Sequence, residues 1–266
     1  MRICLSAAVL AVLALVRPVQ ADGPASVRSV TVDGTAFRVL MADGRVLPQA
    51  SLPGTVLVLG IGDGRNRRIR IDAVEPDPKD PAGAPLYTMS AQNPGSGAWE
   101  NICEADPEGR RLAFPVPGAF TADTRYTPSA DRFFITCTGG AESKCIRFGY
   151  RPWRTAPDGA SLAAHYQACV RLVRADYCGD GIGHTRNGTL IDIYDRIGIQ
   201  QPDPGNTLGF EAAFDANGAV CVRQTRLPDL LSLDRLGTQC PRLQGRLGAD
   251  CRESAPALLF VRSRGH

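Results

Sequence analysis

Twelve residues, RADYCGDGIGHT, carry many of the side chains in this sequence that are suited to acid–base or metal chemistry. The segment runs from Arg174 to Thr185 and contains two acids, Asp176 and Asp180, and a histidine, His184. Carboxylates bind Ca²⁺, and a carboxylate beside an imidazole orients it as a metal ligand or as a general base. The composition of the segment therefore raises two functional hypotheses, a cation site and a hydrolytic site.

The calcium hypothesis fails at two positions of the EF-hand pattern. Counted from Asp176, the loop has an acid at position five and a glycine at position six, as the pattern requires. Position three is Cys178 and position twelve is Asn187, where the pattern requires an oxygen ligand and a glutamate. A looser oxygen site made from Asp176, Asp180 and Asp192 stays open.

A histidine site is the second hypothesis. The sequence contains three histidines, His165, His184 and His266, and the first two flank the segment. His165 and His184, together with the three aspartates of the looser oxygen site, are the candidate catalytic residues of a hydrolase or a metal-dependent enzyme. The sequence has no HExxH or HxH spacing for zinc, and we predict no cofactor. The alternative is that His165 packs beside a helix face and that His184 bonds within a turn.

The same segment has the composition of a helix end, and this is the interpretation that the sequence favours. Glycine supplies the positive φ at which many helices stop, and acids that follow a helix bond to free backbone amides. We therefore predict positive φ at Gly179 and Gly181 and a disulfide from Cys178 at the corner. On this interpretation the segment is structural.

The elements that position this segment follow from hydrophobic periodicity. Residues 161–177 read as one main helix, because Leu162, Tyr166 and Cys169 fall on one face at helical spacing. Before it, RFFITC reads as a strand and KCIRFGYRPW as a second extended segment. After it, Asn187-Gly188 and Asn217-Gly218 are two-residue hairpin signals.

The first part of the chain contains short runs of strand length, such as TVLVLG and RIRIDAV, separated by Asp-Gly and Pro-Gly turns. We predict a small N-terminal all-β unit followed by a disulfide-rich α+β domain with one main helix, a β-dominated α+β fold. The proline-rich stretch 115–131 is the predicted linker. The predicted regions are 22–125 (β-rich), 130–253 (disulfide-rich) and 254–266 (a C-terminal tail).

The first 21 residues have the pattern of a secretory signal peptide, with Arg2, an apolar stretch and a small-x-small cleavage site before Asp22. We expect a secreted or periplasmic protein with no membrane insertion after cleavage. Without Arg2 and Arg17, 28 basic residues (30 − 2) face 27 acidic ones, a net charge of +1. This balance predicts no nucleic-acid partner. Because 26 of the 28 basic residues are arginine, we interpret the arginines as bacterial coding bias and not as an anion-binding design.

Eight of the nine cysteines follow the predicted cleavage site, and no CxxC occurs. An even number in an exported chain predicts four disulfides, although eight cysteines allow 105 connectivities. They are Cys103, Cys137, Cys145, Cys169, Cys178, Cys221, Cys240 and Cys251.

One further stretch, GYRPWR, interleaves two aromatics with arginines. If exposed, Tyr150 and Trp153 would stack on a glycan or grip a protein ligand. If buried, Trp153 is a core anchor with arginine stems packed over it, and the sequence favours this second interpretation.

Three segments in this order, KCIRFGYRPW, HYQACVRLVRADYCGDG and GTLIDIYDRIGIQ, resemble the ADYC-domain family of exported bacterial proteins, named after the tetrad at 175–178. The resemblance is close from Phe133 to Cys251, and the preceding β-rich part resembles the companion region of that domain. It implies export, paired cysteines and a shared core, and it carries no catalytic assignment. From the signal peptide, the even number of cysteines and the lack of a complete catalytic set in the sequence, we predict an exported, disulfide-stabilised, non-enzymatic binding or structural module of the bacterial envelope or exterior.

Overall fold

The computed structural model describes residues 27–60, 64–80 and 84–264. The predicted signal peptide and His266 lie outside the described residues. The strands, in chain order, are β1 Val27–Asp33, β2 Ala36–Met41, β3 Val56–Gly60, β4 Asn66–Pro76, β5 Pro85–Gln92, β6 Trp99–Asn101, β7 Ala113–Pro117, β8 Ala119–Phe120, β9 Tyr126–Thr127, β10 Phe133–Cys137, β11 Ile191–Asp195, β12 Gly209–Asp215, β13 Gly218–Val222 and β14 Leu259–Ser263. The helices are α1 Ala141–Arg147, α2 Ala163–Arg174 and α3 Leu233–Gln239.

The N-terminal strands form a six-stranded antiparallel sheet in the order β10-β7-β5-β4-β3. Strand β6 pairs with the end of β5, along the same edge that β7 contacts near the start of β5. The strands alternate as the sequence predicts: Ile69 and Ile71 of β4 are buried, whereas Arg68 and Arg70 lie on the opposite face. A separate hairpin, β1–β2, adds Phe37 to the same core. The predicted β-rich fold of this part is confirmed.

The C-terminal part contains a four-stranded antiparallel sheet in the order β11-β14-β12-β13. Both faces of β12 are covered, because Phe214 packs into the main core and Ala213 into a second cluster with Tyr194 and Phe260. Residues that the sequence places in a C-terminal tail form β14, which lies between β11 and β12. The fold class, β-dominated α+β with one main helix, is confirmed.

The stretch predicted as a linker, 115–131, contains the end of β7 and the small β8–β9 ribbon. Tyr126 of β9 packs edge-on against Tyr166 of α2, and one hydrophobic cluster extends from Phe37 to Val261. The division of the chain into two regions stays a prediction.

Helix α2 lies where the periodicity predicts, with Leu162, Tyr166 and Cys169 buried. Burial extends around most of its circumference, because α1 packs on one side and β12, β13 and β14 pack on the other. Even Arg171 is fully buried. The helix that carries the RADYCGDGIGHT segment is therefore held on several sides.

Two local predictions are wrong. The first half of KCIRFGYRPW is not extended, because residues from Ala141 form helix α1, which buries Cys145 and Ile146 against α2. Asn187-Gly188 forms a turn but no hairpin. The residues before it do not pair as a strand, and β11 pairs with β14 instead. The Asn217-Gly218 hairpin, β12–β13, is confirmed.

The eight cysteines form four disulfides, as predicted, with Cα atoms 5.4 to 5.8 Å apart. The pairs are Cys103–Cys137, Cys145–Cys169, Cys178–Cys240 and Cys221–Cys251. The second joins α1 to α2, and the third joins the corner after α2 to the end of α3. Bridges of this kind typically contribute 2–5 kcal/mol in small secreted domains, by rough estimate. Among the described residues, no helix has the length and apolar character needed to cross a membrane.

Candidate functional site

The acid at the centre of the segment, Asp176, is fully buried and its carboxylate is saturated with donors. One oxygen accepts from the backbone N–H groups of Gly179 and Asp180, at 2.8 and 3.1 Å. The other accepts from the N–H of Gly181, at 3.0 Å, and from the guanidinium of Arg171. The side chain therefore holds the loop onto the last turn of α2.

The chain leaves α2 through Ala175, which is fully buried and adopts the left-handed conformation with φ of 52°. Gly179 and Gly181 follow with φ of 74° and 88°. The positive φ predicted at Gly179 and Gly181 is confirmed. The helix itself ends at Arg174, three residues before the predicted end at 177, and an alanine occupies the cap position. An alanine tolerates this φ at a cost of about 1–2 kcal/mol, so the surrounding contacts must hold it there.

Tyr177 points into the core and belongs to a buried polar network that sequence reasoning missed. Its hydroxyl donates to Glu211 at 3.0 Å and accepts from the backbone N–H of Arg226 at 2.8 Å. The Arg226 guanidinium binds both oxygens of Glu211 and also donates to the carbonyls of Leu172 and Val173. A buried arginine thus caps the C-terminal carbonyls of α2, where positive charge is favourable.

The corner is closed from outside by a second arginine and by tight backbone contact. Arg242 donates to the carbonyls of Tyr177 and Ala219, both at 2.7 Å. Gly179 lies so close to the β12–β13 turn that a Cβ atom there would be 1.9 Å from the carbonyl oxygen of Asn217. The loop and the turn are therefore fitted to each other with no room for a side chain.

Tyr177 and Asp176 are both buried and engaged, which argues against either one exchanging a proton with a substrate. Burial raises the pKa of the Tyr177 phenol well above its usual range, and the neighbouring Glu211 raises it further. The phenol therefore stays protonated at physiological pH. Asp176 is sealed from solvent with both oxygens engaged, so it has no free lone pair to offer a substrate in this structure.

The two histidines lie in separate environments. The His184 ring is partly buried and stacks on Tyr177, with centroids 6.3 Å apart, while its backbone N–H donates to the carbonyl of Arg174. His165 is 8% exposed and stacks on Tyr150. Burial lowers the pKa of both imidazoles. Their neutral forms are therefore favoured. His165 therefore packs as the alternative interpretation predicts. The His184 ring packs on Tyr177, but among the described residues it makes no hydrogen bond within a turn, which differs from that interpretation.

The remaining candidate acids are engaged with backbone and amide groups. Asp180 accepts from the N–H of Ile182 at 2.9 Å, as in a turn. Asp192 lies on β11 and accepts from the side chain of Asn206 at 2.7 Å. Across residues 27–60, 64–80 and 84–264, no group of three histidine, cysteine or acidic side chains is placed to hold a metal ion. The looser oxygen site is therefore not assembled in this structure.

Tyr150 cannot serve as a stacking platform, because its ring is fully buried. Its hydroxyl donates to Asp195 at 2.6 Å, and the same carboxylate accepts from four backbone N–H groups of residues 197–200. Trp153 is partly buried and packs against the core beside the Gly34 turn, where a Cβ would lie 3.5 Å from its ring. The idea of a ligand held between these two aromatics is wrong for Tyr150.

A different aromatic–arginine cluster lies on the outer face of the six-stranded sheet. We call it the Arg–Trp face and define it by Arg68, Arg70, Gln92 and Trp99. The guanidinium carbons of Arg70 and Arg68 lie 4.6 and 5.7 Å from the centroid of the Trp99 ring. Arg68 also donates to the side-chain oxygen of Gln92 at 2.7 Å. Sequence reasoning missed this face, since β4, β5 and β6 form it together.

An open cleft lies between α3 and the segment 244–248. Its volume is about 650 Å³. Leu233 and Leu247 supply its apolar lining, and Asp234, Thr238 and Gln244 supply polar groups. The polar lining contains no arginine or lysine, so the Arg–Trp face is the better candidate for recognising a charged ligand.

One family model, described as the ADYC domain, matches residues 49–228. The matched range includes the RADYCGDGIGHT segment and the whole Arg–Trp face, and it ends before the open cleft. No curated protein and no solved structure is similar enough to this chain to count as a match.

Proposed function

This chain belongs to the ADYC domain family, and we propose that it is an exported, non-catalytic binding module of the bacterial envelope or exterior. In this proposal the tetrad Ala175–Cys178 is a structural motif that locks the end of α2. The binding surface lies elsewhere, and the best candidate for it is the Arg–Trp face on the six-stranded sheet.

The saturation of Asp176 is the observation that carries the proposal. A catalytic or metal-binding carboxylate needs a free lone pair directed at solvent or substrate. Asp176 has four protein donors and no exposed surface. Tyr177 is equally sealed, and Cys178 is bonded to Cys240. The side chains after which the family is named are all used to hold the fold.

Four disulfides support the export part of the proposal. Disulfides persist in oxidising compartments and are rare where glutathione keeps thiols reduced. Cys145–Cys169 lies wholly within the core, so the fold contains that bridge as an integral part. A chain that forms such bridges has to reach an oxidising compartment.

We expect the product exported by a bacterial host to begin at Asp22 and to carry four bridges. Its intact mass without reductant should be about 8 Da below the reduced mass, since each bridge removes two hydrogens. A Cys145→Ser/Cys169→Ser variant should lower that difference to about 6 Da. Peptide sequencing and mass spectrometry check both points. Intact Met1 in a membrane fraction, or two alkylatable thiols in the native wild-type protein, would contradict the proposal.

A further inference from the structure

We propose that the Arg–Trp face binds an acidic polysaccharide and that Arg68 pairs with a carboxylate of the bound sugar chain. This inference rests on the proposed binding function and names the ligand class for it. Three observations support it: the arginine side chains of the face are held in place, their positive charge is not fully neutralised, and the face is elongated.

The arginines of the face are already held in place. Both guanidinium carbons lie within cation–π distance of the Trp99 ring, at 5.7 Å for Arg68 and 4.6 Å for Arg70, and this attraction helps to hold the two side chains in place. Arg70 donates to Asp72 at 2.5 Å, and the other oxygen of Asp72 accepts from Ser90 at 2.6 Å. Ordering the side chains before binding lowers the entropic cost of capturing a ligand.

The face carries positive charge that its own contacts do not neutralise. Arg70 is paired with Asp72, so its charge is largely balanced. Arg68 contacts two neutral groups, the amide of Gln92 and the ring of Trp99, and its side chain is exposed. In a protein close to electrical neutrality, this is a local attraction for a carboxylate.

The shape of the face fits an extended chain of sugars. Val58, Arg68, Gln92 and Trp99 form one row across four strands, β3 to β6. At the usual spacing between strands the row is about 14 Å long, which a short oligosaccharide would span. Val58 is 63% exposed and Trp99 is partly exposed, so apolar sugar faces find apolar partners at both ends.

Other polyanions fit this face less well. Anionic membranes and nucleic acids are typically recognised by larger basic clusters, about 4–8 lysines or arginines for a membrane surface. The Arg–Trp face presents two arginines, Arg68 and Arg70, with Asp72 beside them. A polymer with one carboxylate on each sugar matches this sparse charge, and its rings match the apolar ends.

The test is calorimetric titration of the full exported chain with polygalacturonate and with its fully methyl-esterified form, which keeps the sugars and loses the charge. We expect binding to the acidic polymer that weakens as salt rises, and at least tenfold weaker binding to the ester. Arg68→Gln should weaken binding at least tenfold. Arg38→Gln, which removes an exposed arginine from β2, should change it less than twofold.

Three results would overturn the inference: no heat of binding to the acidic polymer, equal loss in Arg38→Gln and Arg68→Gln, or equal binding to phosphatidylglycerol vesicles or duplex DNA. Because Arg68 is exposed, its variant should fold, and Trp99→Phe provides a second change that keeps an aromatic ring. Cleavage before Asp22 and bridge formation are measured separately. A failure of glycan binding is therefore distinguishable from a failure of the export proposal.

Discussion

Replacing Asp176 with alanine should lower the free energy of unfolding by about 3–5 kcal/mol, because it leaves a buried arginine without its acidic partner. The Arg171 guanidinium is fully buried and donates to Asp176. Three backbone N–H groups of the loop would lose their acceptor at the same time. Urea unfolding followed by circular dichroism measures the change, and the slope of the transition should stay the same.

His184→Ala is the matched control for this prediction. His184 lies in the same segment, yet it is only partly buried and its ring stacks on Tyr177 without a hydrogen bond among the described residues. We expect a loss of less than about 1 kcal/mol. If Asp176→Ala were as stable as the wild type, or if His184→Ala were the more damaging change, the structural role of the motif would be wrong.

Gly179→Ala should destabilise the protein by about 3–5 kcal/mol, from two additive causes. A φ of 74° costs a residue with a Cβ about 1–2 kcal/mol. The added methyl would also lie 1.9 Å from the carbonyl oxygen of Asn217, so two backbone segments would have to separate. Thermal and urea unfolding of the purified variant measure the loss.

Gly188→Ala separates the two causes. Gly188 has a φ of 84°, but a Cβ there would meet nothing within 4 Å. This variant should lose only the conformational part, about 1–2 kcal/mol. Equal losses at Gly179 and Gly188 would show that the loop and the β12–β13 turn are not in tight contact.

The backbone conformation of the motif could be predicted because it depends on local rules. A helical period followed by glycines and acids predicts a helix end, and Gly179 and Gly181 adopt the φ values that this requires. The Asn217-Gly218 hairpin is local in the same sense. Helix α1 was missed because its seven residues are too few to show a clear period.

The partners of the motif could not be predicted, since they depend on contacts distant in sequence. Arg226 lies 49 residues from Tyr177, and no local pattern links them. The Arg–Trp face also depends on contacts between residues that are distant in sequence. Its arginines alternate with buried isoleucines in a way that predicts their exposure, but Trp99 reaches them only because β6 pairs with β5. Disulfide connectivity likewise follows from the fold, which brings Cys178 to Cys240.

Amide hydrogen exchange of Gly179, Asp180 and Gly181 in the native wild-type protein tests the central claim most directly, because their N–H groups donate to the buried carboxylate of Asp176. If the motif is a lock on the end of α2, these three amides exchange far more slowly than amides of an unstructured loop, although they lie outside any helix or strand. Exchange at the rate of a free peptide at all three positions would contradict the account.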